Sequence, residues 1–135
     1  MRRLFLNPTA LLTNSTTAVF IPGTLWLPAG GIVYARSQWE VFAVVGNAVC
    51  LPAYQVATST DTPGASMTIE PTGGAAFSSA VDVYYPTDFH NLRTDGTAPL
   101  KSNMLVRFGW LVKLSSGSTL AYIYAGGLVE TTESS

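Results

Sequence analysis

At 135 residues with one cysteine, the chain has room for a single hydrophobic core and no means of building an intrachain disulfide framework. Only 11% of its residues are charged and 47% are hydrophobic, against about 25% charged in an ordinary soluble domain, so a monomer would leave weakly polar surface bare and contact with other protein is expected. A net charge of −1, with seven Lys and Arg along the chain, gives no footprint for a phosphate backbone, and no run nears the roughly 20 apolar residues of a spanning helix; neither nucleic acid nor membrane is expected as a partner.

Met1-Arg2-Arg3 ahead of Leu4-Phe5-Leu6 imitates the start of a signal peptide. Asn7-Pro8 interrupts the apolar run, and the polar Thr13 to Thr17 stretch follows too soon, so no cleaved signal is expected. Proline and β-branched residues resist helix here. Residues 1–16 are therefore expected to form an extended arm that can lie on a neighbouring subunit, with a first strand of the chain's own domain as the alternative. Asn14-Ser15-Thr16 matches a glycosylation sequon, which without a secretory signal is read as chance.

The region 17–130 reads as one β domain. Strand-like runs occur at Ala18 to Ile21, Gly31 to Ala35, Trp39 to Val45, Ala53 to Ala57, Met67 to Glu70 and Ala80 to Tyr85. Pro22-Gly23, Pro28-Ala29-Gly30, Gly46-Asn47, Pro63-Gly64, Pro71 to Gly74 and Asp95-Gly96 punctuate them, and no long window keeps a helical period without Gly or Pro. About eight short strands at this spacing predict an all-β, antiparallel sandwich or barrel.

The clearest stretch is VRFGWLVKLSSGSTLAYIYAGGLVE, residues 106 to 130. Val106, Phe108, Trp110, Val112 and Leu114 fall on every second position, with Arg107 and Lys113 on the other face, and Leu120, Tyr122 and Tyr124 alternate again after Ser115-Ser116-Gly117-Ser118. The pattern predicts a β-hairpin. Gly109 and Gly126-Gly127, inside its strands, predict bends or close backbone approach. Two segments, Thr58 to Ser66 and Pro86 to Asn103, read as loops, and residues 131–135 as a flexible polar tail.

Titratable side chains gather only in the second loop, at Asp88, His90, Arg93 and Asp95. A catalytic reading would take His90 as base with Asp88 or Asp95 orienting it, but Asp-x-His is common in polar loops, and no catalysis is expected. One His and one Cys supply too few ligands for a metal centre, no glycine loop leads into a helix to cradle phosphate, and no cofactor is expected. Cys50 reads as a small buried hydrophobe. The aromatics Trp26, Trp39, Trp110, Tyr54, Tyr84, Tyr85, Tyr122 and Tyr124 suit core or interface packing, and a sugar-stacking platform is the alternative.

Taken together, the late stretch, the sparse charge, the Gly/Pro-punctuated strands and the arm-like N-terminus resemble the small all-β structural proteins of tailed-phage virions, above all capsid decoration or cement proteins. The resemblance is one of style across the chain and brings no functional residues with it. It implies a non-enzymatic protein made in the host cytoplasm that sits on the capsid exterior, partners the major capsid protein or other virion subunits, and is a trimer or dimer. Contact residues are then expected on the arm, at Arg2, Arg3, Leu4, Phe5 and Leu6, and on the long loop, at Phe89, His90, Leu92 and Arg93. A tail, neck or fibre component and a carbohydrate-binding module are the rival expectations.

Overall fold

The computed structural model describes residues 2–13, 17, 19–45, 47–58, 63–68, 75–78, 83–86, 89–94, 99–114 and 121–133, with side chains described at 2–6, 17, 19–37, 52–58, 89–94, 99–114 and 126–133. These residues form β1 (Arg2–Thr13), β2 (Val19–Pro22), β3 (Leu27–Pro28), β4 (Tyr34–Val45), β5 (Asn47–Ala57), β6 (Pro63–Thr68), β7 (Ala75–Ser78), β8 (Val83–Pro86), β9 (His90–Asn91), a 3-10 turn (Leu92–Thr94), β10 (Leu105–Leu114) and β11 (Ala121–Thr132). The all-β expectation holds, as a sandwich and not a closed barrel.

One sheet has the order β1-β11-β4-β8, with β9 pairing further along β4; the other has the order β2-β10-β5-β6, with β3 on β10 and β7 on β5. Every pairing is antiparallel. The pairs are nested: β1 with β11, β2 and β3 with β10, β4 with β8, β5 with β6. An antiparallel ribbon rolled up on itself gives this order, which is that of a jelly roll.

Several sequence expectations change, among them Thr58 to Ser66, read as a loop, whose residues from Pro63 belong to β6 because they pair with β5. The stretch 106–130 is not a hairpin, because β10 pairs with β2, β3 and β5 whereas β11 pairs with β1 and β4 in the other sheet. Alternation marks a half-buried strand but says nothing of its neighbour, and β4 and β5, one residue apart, also lie in opposite sheets. Residues 2–13 follow the alternative reading, a strand of the sandwich in place of an arm, paired with β11 from Arg2↔Thr131 to Thr13↔Ala121. At the far end Thr131 is buried and β11 runs to Thr132, so the expected flexible tail is sheet up to that residue.

Burial along β10 follows the predicted period. Val106, Phe108, Trp110 and Val112 are fully buried, and they meet Leu6 of β1, Tyr54 and Val56 of β5 and Val129 of β11 between the sheets. Tyr122 and Tyr124 fall outside the described side chains. Gly109 meets the expectation of close approach: a Cβ there would collide with the Ile21 carbonyl and lie 2.9 Å from Pro22 Cα. At that crossing the Phe108 carbonyl accepts from both Gly23 (2.8 Å) and Thr24 (3.1 Å), while the Phe108 N–H donates to Thr24 Oγ1 (3.0 Å). A side-chain hydroxyl thus completes the ladder where β2 leaves it.

Bends also fall where glycine and proline predict them. Opposite Gly126-Gly127, β1 shifts register between Leu6 and Thr9, across Pro8, and the β11–β4 register shifts between Tyr124 and Ala125. β1 is an edge strand, where a residue without an N–H costs least. Pro52 interrupts the sequence pattern but not the strand: β5 runs through it, and on the side away from β10 β7 pairs at Asn47 to Cys50 and β6 from Ala53 onward, so Pro52 lies in the gap.

The long loop is pinned. Leu92 and Leu100 are buried in the core, the Leu92 N–H donates to the Val33 carbonyl and the Leu100 N–H to the Leu92 carbonyl, both at 2.8 Å. Gly31, with φ of 85°, follows Gly30 in a turn closed by Ile32 N–H to Ala29 carbonyl at 3.0 Å, as the third residue of a type II turn requires.

Candidate functional site

Arg93, read from sequence as part of a catalytic or contact group, is a structural brace. Its guanidinium donates to the carbonyls of Ile32 (2.9 Å) and Ala29 (3.2 Å), and its own N–H is held by Asn91 Oδ1 at 2.9 Å. His90 is half-buried in β9 and pairs with Ala35 of β4. Asp88 and Asp95 lie outside the described residues, as does the Cys50 side chain. Among the described residues no group of three or more His, Cys, Asp or Glu could hold a metal ion, and no helix is long and apolar enough to cross a membrane.

The other expected contact residues separate into inside and outside. Leu6 and Leu92 are buried core residues, and Leu4 is partly buried against the core. Arg2, Arg3 and Phe5 are exposed. Arg3 belongs to a row across the outer face of the first sheet, set by the register Arg3↔Glu130↔Arg36. Arg3 Nε lies 3.2 Å from Glu130 Oε2, and Arg36 places Nε at 3.0 Å and Nη2 at 2.9 Å from Oε1. The Arg36 guanidinium also covers the Phe89 ring, 4.6 Å from its centroid. Glu130 is only 3% exposed although it faces outward, because its two arginines roof it. Hydrogen bonding from Arg36 first, and then from Arg3, holds its carboxyl below the ordinary value of 4.5 against an opposing effect of burial.

Large apolar side chains stand out at one rim. Phe5 on β1 is 76% exposed, Val19 on β2 46%, and Leu25, between β2 and β3, 85%. β1 ends the first sheet, while β2 and β3 occupy the end of the second. The two ends are neighbours, because a Cβ on Gly23 would touch both Leu6 of β1 (3.0 Å) and Trp110 (2.9 Å). This rim therefore combines exposed hydrophobes with two strand edges that no other described strand pairs, a combination that invites another chain.

Around the corner, the outer face of the second sheet carries a cluster that sequence reasoning missed. Arg107 of β10 lies over the Trp26 ring at 4.4 Å and the Phe20 ring at 5.6 Å, and both Nε (2.9 Å) and Nη2 (2.6 Å) donate to Gln55 Oε1. Gln55 is its cross-strand partner, and Phe20 is the partner of Leu111, which follows Gly109 on the same outward face of β10. The outward position of Arg107 was legible from alternation. Its companions come from β2, the β2–β3 link and β5, and only register unites them.

An open polar cleft of about 440 Å³ at the end of the sandwich is lined by Arg2, Gly30, Gly31, Ile32, Thr131, Thr132 and Glu133. Its charges are one of each sign. Comparison with protein-family models, with curated proteins and with solved structures gives no match for this chain.

Proposed function

We propose that the chain is a non-enzymatic structural subunit of a virion: a decoration, or cement, protein that binds the outer face of a capsid and joins neighbouring coat subunits. The observation that carries this reading is the rim formed by β1, β2 and β3, where Phe5, Val19 and Leu25 stand in solvent beside two strand edges that no other described strand pairs. So few charges and so much outward apolar surface suit a protein whose neighbours are proteins. The jelly roll is used by shell subunits and by lectins alike, so the fold itself does not choose between them. A carbohydrate-binding module is the second reading, favoured by the half-exposed Trp26 on an outer face.

Gradient-separated particles from cells that make the protein decide the matter. The wild-type chain is expected in the fraction holding heads, while a Phe5→Asp/Leu25→Asp double variant is expected folded and in the soluble pool. Recovery with tails or fibres would place the same rim at another station of the particle. A wild-type chain that stays monomeric and travels with no particle would leave the reading without support.

A further inference from the structure

We infer that Arg107 is a receptor for a carboxylate, presented by an acidic side chain of the protein on which this chain docks. The inference deepens the structural-subunit reading and rests on it for the identity of the partner. Three observations converge on Arg107. First, among the described residues its charge is uncompensated: both ion pairs there belong to Glu130, and the hydrogen-bond acceptor that Arg107 meets there is the neutral Gln55. Second, it is held in place. Two aromatic rings flank the guanidinium and one acceptor oxygen engages Nε and Nη2 together, so the planar group has little rotational freedom left to lose on binding. Third, no described residue accepts from the edge formed by Nη1 and the remaining Nη2 proton, which has the fork geometry that matches both oxygens of a carboxylate.

An acidic sugar would offer the same group, but the arrangement suits it less. Sugars bind aromatic platforms by stacking on an open ring face, and the guanidinium occupies the face of Trp26 from 4.4 Å. A carboxylate on a protein side chain needs only the guanidinium edge, with the Phe20 and Trp26 rings supplying apolar contact around it, the pairing of arginine and aromatics in which interface binding energy concentrates.

The test follows the Arg107 Nε–H and Trp26 indole N–H resonances of the intact protein during titration with N-acetylglutamate amide, its glutamine counterpart and glucuronate. Saturable shifts with the glutamate compound alone are expected. The response should weaken about tenfold in Arg107→Lys, which keeps the charge but not the fork, and vanish in Arg107→Gln. Equal response to the glutamine compound, or none to either, would overturn the receptor; tighter binding of glucuronate would overturn the protein partner in favour of a sugar. Particle gradients run with Arg107→Gln separate this failure from that of the functional reading. A variant that still rides on particles as firmly as wild type sinks the receptor and leaves the structural role standing, whereas glutamate-specific binding by a protein absent from all particles does the reverse.

Discussion

Gly109 and Ile21 approach so closely that the Ile21 carbonyl occupies the place a side chain on residue 109 would take. Gly109→Ala must therefore push β2 off β10 and disturb the hydrogen bonds that Gly23 and Thr24 make to Phe108. The expected loss is about 3 kcal/mol, at the upper end for overpacking. Gly30→Ala is the control, since nothing lies within 4 Å of a Cβ there; its denaturation midpoint should match wild type or rise slightly.

Trp110 fills the centre of the core, yet its Nε1 finds no hydrogen-bond partner among the described residues. Trp110→Ala should cost about 3 to 5 kcal/mol through the cavity it leaves. Trp110→Phe removes the unsatisfied N–H, whose burial costs about 1 to 3 kcal/mol, along with part of the ring. Urea denaturation should place it much nearer wild type than the alanine variant. A phenylalanine variant as unstable as the alanine one would mean that the indole N–H is satisfied.

Glu130 predicts an acid limb in the stability curve. Its folded pKa is lowered, so its contribution is present above the unfolded value near 4.5 and is lost as pH falls through the folded one. Melting temperatures should therefore decline below about pH 4.5 more steeply in wild type than in Glu130→Gln. At neutral pH the variant should be less stable by on the order of 1 kcal/mol, since Arg3 is largely solvated and that half of the pair is screened.

Removing residues 2–13 should abolish cooperative unfolding, because β1 supplies Leu6 to the core and covers one edge of β11. A dispensable arm would instead leave the melting transition intact. Calorimetry of the truncated chain distinguishes the two outcomes directly.

What could be read from sequence divides along physical lines. Local alternation makes the inward set Val106, Phe108, Trp110 and Val112 legible, and Gly109 and Gly126-Gly127 mark their bends correctly, because both signals depend on the strand itself. Pairing partners are not local. Ser115-Ser116-Gly117-Ser118 looked like a hairpin loop, but the strands before and after it, β10 and β11, lie in different sheets; the run read from Ala53 belongs to a strand that begins at Asn47 and passes through Pro52, which sits in a gap between two short neighbours. The Arg2–Thr13 strand was read only as the alternative to an arm, because of Pro8, which an edge with a register shift accommodates. Of the candidate contact residues, Leu4, Phe5 and Leu6 share one apolar run, and the structure leaves Phe5 exposed while Leu4 and Leu6 turn inward. Burial separates those three and composition cannot. The Arg107 cluster, assembled from three parts of the chain, leaves no trace in any window of sequence.

The nested pairing has a consequence for how the protein is made. Because, among the described strands, β1 pairs with β11 alone and β2 with β10 alone, a ribosome must release nearly the whole domain before β1 can be satisfied. Arg2–Thr13 therefore waits as an unpaired, largely apolar segment throughout synthesis, and folding is governed by long loop closures of the kind that place all-β domains in the millisecond-to-second range. The interval in which that segment is most open to a chaperone, or to the wrong neighbour, ends only when Ala121–Thr132 arrives.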